Sequence, residues 1–93
     1  MAHRSAVREG HAMPVFVIER EFADRFDPDD ETLRVIDDYN ESKEIKWITS
    51  FLSSDRKKTY CLFECDDIEA LRLQASDLGL PADVITQVDE FVR

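Results

Sequence analysis

Glycine is almost missing from this chain: Gly10 and Gly79 are the only two in 93 residues. A phosphate-cradling loop needs several glycines within a few positions, so nucleotide binding through such a loop is excluded. Histidine is equally scarce. His3 and His11 are the only two, and both precede Met13. No Ser/His/Asp set can therefore be built from the folded part, and a cysteine nucleophile there would find no imidazole base. No stretch approaches the ~20 consecutive apolar residues of a transmembrane helix, and the opening residues lack the apolar segment of a secretory signal. Basic charge is also short, with 12 Lys and Arg against 21 Asp and Glu and a net charge of −9. That balance argues against nucleic acid or an anionic membrane as a partner. It suits cations or basic ligands, although a solvated acidic surface is its commoner meaning.

The two cysteines are Cys61 and Cys65. On one extended strand, four residues at ~3.3 Å each put their Cα atoms about 13 Å apart. A disulfide needs less than ~7 Å, so an intrachain bridge is excluded, as is joint ligation of one metal. Both read as buried small hydrophobes in a reducing compartment, which points to the cytoplasm.

What the chain does have is 43% hydrophobic residues, enough for one small core. Residues 1–12 show no periodicity and read as a flexible extension, or as residues ahead of a true start at Met13; residues 13–93 read as a single domain. Val15 to Arg20 is a β-branched, aromatic strand, with Phe22 and Phe26 anchoring the loop after it. Asp27 reads as a helix N-cap with Pro28 at the first helical position, and Leu33, Ile36 and Tyr39 mark the inner face of that helix. Asp66 with Glu69 resembles a capping box. Ile68, Leu71, Ala75 and Leu78 form the stripe of a second helix closed by Gly79. Val84 to Val92 reads as a last strand.

The densest apolar stretch lies between, in residues 44–65. It reads as two strands joined by a polar turn at residues 53–57. In the first, strict alternation sets Ile45, Trp47, Thr49 and Phe51 against Lys46, Ile48, Ser50 and Leu52. A strand apolar on both faces needs cover on both sides. The element order is β-α-β-β-α-β, the ferredoxin-like pattern: an α+β sandwich with two helices on one face of a four-stranded antiparallel sheet. The other face is left open, and Trp47 or Phe51 exposed there would make the kind of apolar patch that marks an interface. A homodimer through the open face, of the dimeric α+β barrel type, is the expected arrangement.

Five segments in order carry a resemblance: Met13 to Arg20, Lys46 to Phe51, Lys58 to Glu64, Asp67 to Arg72, and Gly79 to Asp83. Together they resemble a family of small bacterial proteins of unknown function that includes a nickel-binding protein, with similarity from Met13 to Val92. The resemblance implies a ferredoxin-like dimer and a divalent metal, nickel, as ligand. The family pattern has a histidine late in the second helix where this chain has Gln74, and nickel prefers imidazole among nitrogen donors.

Glu19, Arg20, Trp47, Tyr60 and Glu64 form the constellation of interest. Glu19 and Glu64 each end an apolar run, and both could point into the space between subunits. Two carboxylates in an apolar cavity would have raised pKa values and could bind a cation or work as acid and base. Glu64 and Glu19 are thus the candidate metal ligands, with Trp47 and Tyr60 beside them for a small ligand. The plainer alternative pairs both carboxylates with Arg20, Arg56 or Lys57. The acidic helix residues Asp29, Asp30, Glu31, Asp37 and Asp38 lack the spacing and glycine of a calcium loop. Three functions remain: a small dimeric metal-binding protein, a non-enzymatic dimeric module binding a small ligand in the intersubunit cavity, and, by fold analogy alone, a cofactor-free isomerase or oxygenase. The non-enzymatic readings are favoured.

Overall fold

The computed structural model describes residues 13–90. The extension at residues 1–12, both histidines and residues 91–92 of the expected last strand lie outside the described residues; the strand ends at Val88, short of the expected Val92.

Period-two alternation sets the sheet. In β1 (Val15–Glu21), Phe16, Ile18 and Arg20 are buried, while Val15, Val17 and Glu19 are only partly covered. In β3 (Lys58–Glu64), Thr59, Cys61 and Phe63 are buried on the matching face. These two strands are antiparallel neighbours at the centre, with Ile18 opposite Cys61 and Glu19 opposite Tyr60. β2 (Lys46–Leu52) pairs with the outer side of β3, and β4 (Val84–Val88) with the outer side of β1. The sheet order is β2-β3-β1-β4. With α1 (Asp30–Ser42) and α2 (Ile68–Leu78) between the strands, this is the ferredoxin-like α+β fold.

Leu71 of α2 joins Phe16, Ile18, Ile45, Cys61, Phe63 and Cys65 in one core, so the helices cover the face that carries Phe16 and Ile18. Full burial of each of the larger side chains is worth about 1.5–3 kcal/mol. On the uncovered face, Tyr60 (36%), Val84 (45%) and Phe51 (60%) are exposed.

The helix ends are set by local side-chain chemistry. The Asp29 carboxylate accepts the Thr32 N–H at 2.8 Å and is the N-cap of α1, two residues beyond the expected Asp27. Asp27 instead meets Arg56 at 3.2 Å. Likewise Asp67, not Asp66, caps α2, accepting the Glu69 N–H at 2.6 Å. Gly79 ends α2 in the left-handed region at φ 68°, where a Cβ is disfavoured. In α1, Ile36 and Asn40 are the buried residues, so the inner face is more polar than Leu33, Ile36 and Tyr39 imply.

β2 departs from strict alternation. Trp47 lies opposite Phe63 and Thr49 opposite Leu62, which leaves Ile48 as a bulge. Beyond it the phase is reversed: Ser50 and Leu52 face Cys61 and Thr59 on the helix side, and Thr49 and Phe51 turn to the open face. Trp47 therefore points inward, with its ring 6.2 Å from that of Phe63. The expectation that Trp47 and Phe51 share a face is corrected by this one extra residue.

Candidate functional site

The open face brings some of the expected residues together and separates others. Glu19 and Tyr60 are cross-strand partners. Lys58 joins them, with Nζ 3.3 Å from Glu19, 3.8 Å from Glu21 and 5.2 Å from the centre of the Tyr60 ring. The Glu19 bond, followed by Tyr60, holds the Lys58 ammonium above its ordinary pKa. The partner of Glu19 is thus Lys58 rather than Arg20, Arg56 or Lys57. Glu64 lies opposite Val15, four register places from Glu19, or about 13 Å along the strands. It accepts the Met13 N–H at 3.2 Å. One protomer does not bring Glu19 and Glu64 to a common ion, and Trp47 lies on the other side of the sheet.

A polar chain crosses the helix-covered face. Arg20 is 3% exposed. Its Nη1 donates to the Pro81 carbonyl at 2.6 Å and its Nη2 to Gln74 Oε1 at 2.8 Å. Gln74 Nε2 in turn donates to Asn40 Oδ1 at 2.6 Å. Burial draws the Arg20 pKa below its ordinary value, and the neighbouring Cys61 thiol opposes that shift. Guanidinium remains charged across the accessible range, so a cation sits in the core on neutral acceptors. The sequence places Arg20 in the constellation with Glu19 or, in the plainer alternative, as an ion-pair partner of the carboxylates; the fold buries it on the other side of the sheet instead. The signal for its true place is parity, because Phe16, Ile18 and Arg20 share one phase of β1.

Arg20 opens onto a cavity of about 260 Å³ bounded by the sheet, α1 and the loop after β1. Phe22, Phe26, Leu33, Ile36, Trp47 and Leu52 give it apolar walls, and Arg20, Ser50, Arg56, Thr59 and Cys61 its polar groups; the Ser50 hydroxyl accepts the Trp47 indole N–H at 2.7 Å. The loop is held in place by its own backbone: the Phe22 and Phe26 N–H groups donate to the Lys57 and Arg56 carbonyls at 2.8 and 2.7 Å. The two phenyl rings stack at 4.3 Å. Arg56 occupies the β2–β3 turn at φ 64°. Thr59 Oγ1 and Arg56 Nε are both buried without a hydrogen-bond partner.

Cys61 and Cys65 are free and buried. Burial first, and Asp67 second, push the Cys65 thiol up to about 11. Folding thus favours the protonated thiol. That contribution is whole below the ordinary thiol pKa and fades as pH climbs toward about 11. Neither thiol is expected to react with DTNB within minutes in the native protein at mildly alkaline pH, and both should react in urea. Rapid reaction of either in the native state would mean that this side of the core opens readily.

Among the described residues, no three His, Cys, Asp or Glu side chains come together as a metal cluster, and no helix is long and apolar enough to cross a membrane.

A family model described as "Nickel responsive protein SCO4226-like" matches residues 16–88. The crystal structure of SCO4226 from Streptomyces coelicolor A3(2) superimposes on this chain with a TM-score of 0.70, covering 84% of this chain and 99% of that one at 16% identity. At that identity the likeness speaks for the fold. None of the curated proteins matches the chain.

Proposed function

Since this chain belongs to the nickel-responsive SCO4226-like family, we propose that it is a non-catalytic, homodimeric binding protein whose ligand enters the pocket between the sheet and α1. The observation that supports this reading is the pocket itself, which sets the buried Arg20 and the unpartnered Thr59 hydroxyl into apolar walls. Structural demands alone would favour filling such a space, because buried polar groups left without partners are costly.

Among the described residues, the donors do not suit a resident nickel ion within one protomer. Cys61 and Cys65 are turned into the core, and Gln74 is engaged at both ends of its amide. The remaining carboxylates are hard ligands, better matched to magnesium or manganese than to nickel. The family description supports a second reading, in which nickel is held across the dimer by Glu19 and Glu64 of opposite protomers. Titrating the Trp47 emission with a panel of small aromatic compounds, alongside nickel calorimetry on untagged protein, separates the two. A saturable response to an organic probe with no heat from millimolar nickel is expected; stoichiometric nickel binding with a silent pocket would transfer the chain to the second reading.

The second copy is assigned to the open face, where Val17, Leu62, Tyr60 and Phe51 would otherwise remain in water. Leu62 lies at the middle of this face, opposite Val17 and Thr49. Sedimentation at micromolar concentration is expected to give a dimer for the wild type and a monomer for Leu62→Glu, because a carboxylate buried without a partner is strongly disfavoured. A monomeric wild type would rule out the dimer.

A further inference from the structure

We propose that the pocket takes a small organic acid, a carboxylate on a compact aromatic or aliphatic body, with Arg20, Arg56 and Thr59 gathering its charged end. The inference rests on the reading of the chain as a ligand-binding protein and names the chemical class of that ligand.

The first observation is charge. Arg20 is buried, yet among the described residues its oxygen partners are a carbonyl and an amide, with no carboxylate in ion-pair reach. Buried charges in proteins are ordinarily paired. Neutral acceptors satisfy two of the five N–H groups of a guanidinium, and among the described residues no carboxylate balances its charge. This is notable in a chain with 21 acidic residues.

The second observation is independent of charge. Thr59 lies directly opposite Arg20 in the β1–β3 register, so their Cβ atoms are about 5 Å apart on the same face. The Thr59 hydroxyl is buried in a residue only 5% exposed and has no partner. Arg56 Nε, reaching the same cavity from the β2–β3 turn, is also buried and unpartnered. Two buried donors without partners, in Thr59 and Arg56, therefore belong to the lining of one cavity beside Arg20; Asp27 holds Arg56 Nη2 at 3.2 Å from outside that lining, and no carboxylate lines the cavity among the described residues.

The lining selects among anions. Most of it is aromatic and aliphatic, so the occupant carries an apolar body as well as a charge. A cavity of about 260 Å³ lies just below the ~300–1,000 Å³ usual for drug-sized ligands, which suits a compact body. A planar carboxylate fits the guanidinium fork with two parallel bonds, and the hydroxyl of Thr59 can donate a third.

Trp47 is the single tryptophan and lines the cavity, so its emission reports occupancy. Benzoate and hexanoate are expected to give saturable changes, with benzyl alcohol and benzylamine at least about tenfold weaker, the ratio for a charge-assisted hydrogen bond. Arg56→Gln and Thr59→Val should each weaken benzoate by about five- to tenfold or more. Gln74→Glu is the sharper test. Its carboxylate would satisfy Arg20 from within, while Asn40 turns its amide to donate, so the protein should stay folded and benzoate binding should vanish. Undiminished benzoate affinity in folded Gln74→Glu would overturn the proposal; if that variant does not fold, undiminished affinity in both Arg56→Gln and Thr59→Val would do so. Equal affinity for benzyl alcohol and benzoate would overturn the acid class and leave the pocket reading standing. No response to any probe would remove both.

Discussion

Gln74→Leu is expected to lower the unfolding free energy by about 3–5 kcal/mol, the range for removing one partner of a buried charged group. Gln74 is fully buried at the middle of the Arg20–Gln74–Asn40 chain. Leucine has similar bulk but neither accepts nor donates. Arg20 Nη2 would lose its acceptor and Asn40 Oδ1 its donor, and both belong to buried residues. For a domain this size, with roughly 5–10 kcal/mol in total, that loss approaches unfolding. Urea denaturation should show a lower midpoint with an unchanged slope. Adding Arg20→Met should recover at least half of the loss, because replacing both partners by apolar groups avoids the buried orphan. Failure of the double variant to recover would mean that Arg20 and Gln74 are not energetically coupled.

Phe63→Ala is expected to cost a similar amount, about 3–5 kcal/mol, for a different reason. Phe63 is fully buried on central β3, between Phe16 across the β1 register and the Trp47 ring. Truncation loses both transfer free energy and the contacts of the surrounding side chains, which relax only in part around the hole. Each kcal/mol corresponds to about 4–8 °C in a small domain, so thermal melts should fall by roughly 12 °C or more. No single partner substitution should rescue this variant, whereas one rescues Gln74→Leu. A loss below about 1 kcal/mol, the scale of an ordinary surface change, would contradict the packing described here.

The topology is legible in the sequence because alternation, cap residues and Gly79 repeat the same message at each element. Boundaries are less so. The run Asp27-Pro28-Asp29-Asp30 offers several acids for one cap, and only the carboxylate that reaches the Thr32 N–H wins. The open face is legible as a feature of the fold and Phe51 lies on it as expected, but Trp47 does not, since parity in β2 fails at Ile48. The expected site residues Glu19 and Tyr60 are adjacent, whereas Glu64 lies near the other end of β3. The pocket is not legible in the sequence. Its polar groups come from β1, β2, β3 and the β2–β3 turn, and no spacing within one segment announces a cluster assembled across four. Asn40 and Gln74 carried a weak signal, at four residues from Ile36 and three from Leu71 on the inner faces of their helices.

The bulge at Ile48 has a consequence for how relatives of this chain are aligned. It acts as a one-residue frame shift within β2. An ungapped alignment with a homologue that lacks it will register Trp47 properly and then assign each position from Thr49 to Leu52 to the opposite side of the sheet. Substitution patterns pooled across that boundary would mix pocket-facing with solvent-facing columns. Placing a gap at Ile48 keeps Trp47, Ser50 and Leu52 in one structural class and Thr49 and Phe51 in the other.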